Sequence, residues 1–172
     1  MNLSTAAITF RVLGIVIGAL SVVSLVQRFL DVGLARVLAD CVDFYREVST
    51  VVLGAPARLF GWSPPHPLVD VWALSFVGAG GYVRTPGIEK SRGLGFLNLD
   101  PDAIAWKIGV LLIFGFSGIG IAILMSAVSP LTYVDSFHEE PKDLMQGAGK
   151  NIFWIFAAAV AFFAFNAYGP GG

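Results

Sequence analysis

The sequence predicts an all-α integral membrane protein, and three observations carry that reading. Of the 172 residues, 56% are hydrophobic and 13% charged, about half the charged share of an ordinary soluble domain, roughly 25%. A single stretch, Ile104 to Val128, ends in 21 residues without a charge. Comparable apolar runs lie toward the two ends of the chain, with aromatic residues close to their limits. Lipid offers the backbone no hydrogen-bond partners, so a run of about 20 apolar residues closes its bonds within a helix. At ~1.5 Å per residue such a helix covers the roughly 30 Å hydrocarbon core. The expected architecture is one membrane domain over 1–172, with transmembrane helices at about 6–27, 104–128 and 151–168. A further apolar segment, 68–83, either spans or re-enters, and an amphipathic helix occupies 29–53.

The first helix carries one charge, Arg11, before the uninterrupted run Val12 to Val26. No small-x-small cleavage site follows that run, so it reads as an uncleaved anchor. With Arg11 reaching back to the interface, Ala6 to Phe10 supply the missing length. Gly14, Gly18 and Ser21 form a stripe of small residues, which in lipid marks close helix contact.

Over 29–53 the pattern becomes amphipathic. Leu30, Leu34, Val37, Cys41, Phe44, Val48 and Val51 follow alternating steps of 4 and 3, while Asp31, Arg36, Asp40, Asp43, Arg46 and Glu47 fill other positions. A bend near Asp31 to Gly33 is expected, and Gly54, Pro56 and the cluster Pro64-Pro65-His66-Pro67 are expected to end the helix and turn the chain. A helix that lies on lipid is usually basic on its polar face, whereas this one has four acids against two arginines. The apolar seam is therefore expected to contact protein, either a partner chain or other parts of this one.

The segment 68–83 has an uncharged part of 13 residues, Val71 to Val83, containing Gly78, Gly80 and Gly81. Each glycine weakens a helix by roughly 1 kcal/mol relative to alanine. Asp70 is read as stabilising the first turn of a helix, with a functional intramembrane carboxylate as the alternative.

The central helix is expected to start with Asp100 as cap and Pro101 and Asp102 in its first turn, and to stop at Pro130. Gly115, Gly118, Ala122 and Ser126 recur at intervals of 3, 4 and 4 and line one face; Gly109, Gly120 and Ala127 fall on the opposite one. In the last span Ala157, Ala161 and Ala164 make the small stripe, and Glu140 to Asp143 read as the start of a helix before it. Trp72, Trp106 and Trp154 lie near the starts of the later apolar segments and Tyr82, Tyr133 and Tyr168 near their ends, as interface anchors would.

Several functions are excluded by what the chain lacks. One cysteine, Cys41, and two histidines, His66 and His138, leave no internal disulfide, no Cys-x-x-Cys pair and no paired axial ligands for a haem. The acids around His138 fit no standard metal spacing, and no hydrolase, zinc-protease or phosphate-loop motif occurs. The sequence thus points to no catalytic residue, metal or cofactor, and to no enzyme. A net charge of −1 argues against nucleic acid as a partner.

The expected function is a non-catalytic subunit that packs against other chains in a larger membrane complex, including the energy-transducing kind. The alternative is a homo-oligomeric channel or small transporter. The expected partners are other membrane subunits, or copies of the chain itself, together with lipid. Three spans would put eight of the eleven lysines and arginines on one side. The membrane expected is a bacterial inner membrane, with the mitochondrial inner membrane as the alternative.

Overall fold

In the computed structural model, residues 3–84, 104–126 and 142–168 are described, with side chains for 8–84, 104–125 and 149–168. The elements are α1 (Leu3–Leu30), α2 (Arg36–Leu59), α3 (His66–Val83), α4 (Ile104–Ser117), α5 (Ile119–Ser126) and α6 (Lys142–Tyr168). Among the described residues there is no strand. Among the described residues two helices are long and apolar enough to cross a bilayer, over Ile8–Leu30 and Gly149–Tyr168. Large side chains such as Phe10, Leu13, Phe156 and Val160 stay exposed along them, which is how a helix surface solvated by lipid looks.

The continuous central helix expected over 104–128 is not found. The chain instead breaks at Gly118, and α4 and α5 meet at 84°, so they make a third span only if the bent pair crosses as one. The physical reason is local: Gly118 has φ +84, a conformation costly for any residue with a Cβ. Such a break frees carbonyls from the helical ladder, and the Ser75 hydroxyl donates to the Phe114 carbonyl at 2.8 Å, satisfying one of them inside protein. The expected start at Asp100 to Asp102 and end at Pro130 lie outside the described residues.

The chain divides into two units, one of Met1–Ala73 with Phe153–Gly172 and one of Leu74–Ile152. In the first, α1 packs on α2, and Val23, Val42 and Ala159 form a core flanked by Leu34, Phe162 and Phe163. Asp31, with φ 50, ends α1, and α2 starts only at Arg36. Asn166 holds this turn: its Oδ1 accepts from the Ala35 N–H at 2.6 Å and its Nδ2 donates to the Gly33 carbonyl at 3.0 Å. The expected end of the amphipathic helix at Gly54 and Pro56 is also corrected. Both lie inside α2, which runs on to Leu59 and closes at Gly61, φ +73, whose N–H donates to the Arg58 carbonyl at 2.9 Å.

In the second unit Ala79, Tyr82, Trp106, Val110, Phe114 and Ile123 form the core. Here α3 and α5 touch backbone to backbone. A Cβ on Gly78 would overlap the Gly120 carbonyl, and one on Gly120 would overlap the Ser75 carbonyl. The glycines that weaken α3 as an isolated helix are thus repaid at Gly78 by close approach to α5.

Candidate functional site

The first unit buries a polar network. Asp70, the fifth residue of α3, is 2% exposed and Ser24 of α1 is 1% exposed. The Ser24 hydroxyl donates to Asp70 Oδ2 at 2.8 Å and accepts from Arg46 Nε at 2.9 Å. Arg46 of α2 also donates through Nη2 to Gln27 Oε1 at 2.9 Å and to the Ser24 carbonyl at 3.3 Å, and pairs through Nη1 with Asp43 at 3.3 Å. Tyr45 of α2 belongs to the same buried cluster, its hydroxyl 2.7 Å from Ser21 Oγ. Burial raises the Tyr45 hydroxyl above the ordinary tyrosine range, so it stays protonated and available as a donor.

Beside this network lies an open cleft of about 860 Å³ between the end of α1, the polar side of α2 and the start of α3. Gln27, Arg28, Asp31, Asp43, Arg46, Glu47, Thr50, Arg58 and His66 are among its lining residues. Thr50 Oγ1 and His66 Nδ1 are 3.1 Å apart. Arg46 and His66 both line the cleft, and the Arg46 charge reaches Asp70 through Ser24. What this arrangement provides chemically is a carboxylate withdrawn from bulk water, held by one hydroxyl and one serine away from a charged, open surface.

The reading of Asp70 as a first-turn charge is corrected. It sits beyond the first turn of α3, and its hydrogen-bond partner is Ser24 on α1, which Arg46 of α2 also reaches. Ser24 and Arg46 are plain in the sequence, but nothing in a one-dimensional pattern says that they join one carboxylate.

The small-residue positions fall in different surroundings. Gly18 is buried against Ile155, where a Cβ would stand 2.8 Å from that side chain. Ser21 is buried, donates to the Ile17 carbonyl at 2.8 Å and belongs to the polar network. Gly14 is half-buried. Gly115 packs against the Phe76 ring. A Cβ at Gly118 would meet nothing within 4 Å, so this glycine serves as the break and not as a packing contact. Ala122, Ala161 and Ala164 are exposed or half-buried, as is Ala157; the side chain of Ser126 lies outside the described residues. The close contact of the α4–α5 region is made by Gly120, which the sequence placed on the opposite face.

Of the seam on α2, Val37, Cys41, Phe44, Val48 and Val51 are exposed, as is Leu30 at the end of α1. Leu34 packs on the core of the first unit. Among the described residues no segment of this chain covers those positions; the inward face carries Val42, Tyr45 and Ser49 instead. Of the aromatic anchors, Trp72, Tyr82 and Trp106 are core residues, with Trp72 edge-on to Trp62 at 6.0 Å, whereas Trp154 and Tyr168 are exposed. Tyr133 and His138 lie outside the described residues. Comparison with family models, with curated proteins and with solved structures finds no match to this chain.

Proposed function

We propose that the chain is a non-catalytic subunit of a larger membrane complex, held there by the outward stripe of α2. The observation that supports this is the position of that stripe. Val37, Cys41, Phe44, Val48 and Val51 recur on one side of α2 and stay exposed, while the opposite side is filled by the chain's own core. An apolar stripe running along a helix needs cover by protein or lipid. The neighbouring polar side mixes Asp40, Asp43 and Glu47 with Arg36 and Arg58, so electrostatics does not select an anionic lipid surface. Protein is the better cover, and a bacterial inner membrane is the proposed setting.

The test is a double substitution, Phe44→Ser with Val48→Ser, followed by extraction in mild detergent and by binding to protein-free liposomes. The chain should remain inserted through α1 and α6 but leave its complex. Normal copurification, together with liposome binding as tight as before, would assign the stripe to lipid instead.

A further inference from the structure

We propose that the cleft of the first unit holds the head group of a zwitterionic phospholipid, a phosphate ester carrying a primary ammonium, beyond any role of the chain as a subunit. Its place in the chain is the first argument. The span Ile8–Leu30 has 23 residues, about 34 Å of helix at ~1.5 Å each, slightly more than the roughly 30 Å hydrocarbon core. Gln27, Arg28 and Asp31, which line the cleft, therefore stand where the span ends, at the level of the head groups. A cleft of about 860 Å³ is within the size of small-molecule sites, roughly 300–1,000 Å³.

The charges of the lining say what such a cleft selects. Arg28, Arg46 and Arg58 are matched in number by Asp31, Asp43 and Glu47. Arg46 and Asp43 pair with each other at 3.3 Å, and Arg46 is held further by Ser24 and Gln27. Two exposed arginines, Arg28 and Arg58, and two exposed acids, Asp31 and Glu47, are left without an ion-pair partner among the described residues. Guanidinium groups bind phosphate through paired N–H donors, and carboxylates accept hydrogen bonds from an ammonium. A simple anion would meet the arginines but also face both acids, and like charges brought together work against binding. A head group that carries both charges satisfies both sets. A primary ammonium suits the acids because it has three N–H donors. A quaternary one has none and is recognised by aromatic rings, whereas no Trp, Tyr or Phe is among the residues that line this cleft.

Native mass spectrometry of the full chain in mild detergent tests this, with phosphatidylethanolamine, phosphatidylcholine and phosphatidylglycerol of equal acyl chains added at equal concentration. The wild type should retain phosphatidylethanolamine about tenfold better than either of the others, the worth of one charge-assisted contact. Asp31→Asn with Glu47→Gln should abolish that preference, whereas Arg28→Gln with Arg58→Gln should weaken retention of all three lipids. Asparagine tolerates the φ of 50 at position 31, so the turn after α1 is kept. Equal retention of the three lipids by the wild type would overturn the proposal without recourse to any variant, and so would a preference that survives both double substitutions. Free O-phosphoethanolamine separates the two sources of this chemistry. It should leave the bound lipid in place at equal concentration; full displacement would assign the cleft to a soluble ester and overturn the lipid as its ligand. None of these readouts needs a partner chain, so the proposal stands or falls separately from the subunit reading.

Discussion

A single methyl group separates the glycines of this chain by what they do. At Gly78 and Gly120 the obstacle to a Cβ is backbone of the facing helix, which no rotamer change can move aside. Gly78→Ala or Gly120→Ala is expected to cost about 1–3 kcal/mol, as overpacking does, read from unfolding in mixed detergent micelles. Gly118→Ala meets no neighbour, but its positive φ makes it costly by roughly 1–2 kcal/mol. Gly109→Ala, in the interior of α4 with open space around it, should be neutral or gain up to about 1 kcal/mol. Equal behaviour of all four would contradict the crossing of α3 and α5. Tyr45 offers a residue-scale test by pH. Because burial raises its hydroxyl, an ultraviolet titration to about pH 11, just above the ordinary tyrosine value of roughly 10, should have the same amplitude in wild type and Tyr45→Phe while the fold holds.

At the scale of elements, helix identity was legible in the sequence and helix limits were not. The steps of 4 and 3 from Leu30 to Val51 do belong to helical chain, yet α2 starts at Arg36 because Asp31 takes a left-handed φ and Asn166 holds the following turn. That tie joins residues more than 130 apart in sequence, 131 for Ala35 and 133 for Gly33, so local spacing has no access to it. Asn166→Ala removes both bonds, and a loss of about 1–3 kcal/mol is expected from their usual net worth, with faster hydrogen exchange confined at first to residues 31–38. Uniform exchange along α2 would argue against the tie. The seam shows a different limit. Amphipathic logic assigns the apolar side inward, whereas in α2 the inward side includes Tyr45 and Ser49, and the apolar stripe faces out. In lipid or at a partner surface that assignment is free to invert. Small residues likewise mark places where contact is possible; which glycine makes it depends on the helix opposite, and so Gly120, not Gly118, meets α3.

For the whole molecule, apolar length identified the two helices able to cross a bilayer, because hydrocarbon thickness is the only quantity that this signal has to match. It could not find the 84° bend between α4 and α5, since the run stays apolar through Gly118 and hydropathy carries no information on backbone direction. The Asp70 network was also beyond it, since its members are distributed over three helices and each residue alone has an ordinary structural explanation. What remains legible from composition onward is the class: an all-helical membrane chain whose buried charge is confined to one hydrogen-bonded network among the described residues, with an exposed apolar stripe on α2. The central claim, that this stripe holds the chain in a complex of unlike subunits, is tested most directly by native mass measurement after extraction in mild detergent. A stoichiometric assembly with different chains, lost in the Phe44→Ser, Val48→Ser variant, is the expected result; a mass equal to a small multiple of this chain alone would contradict it.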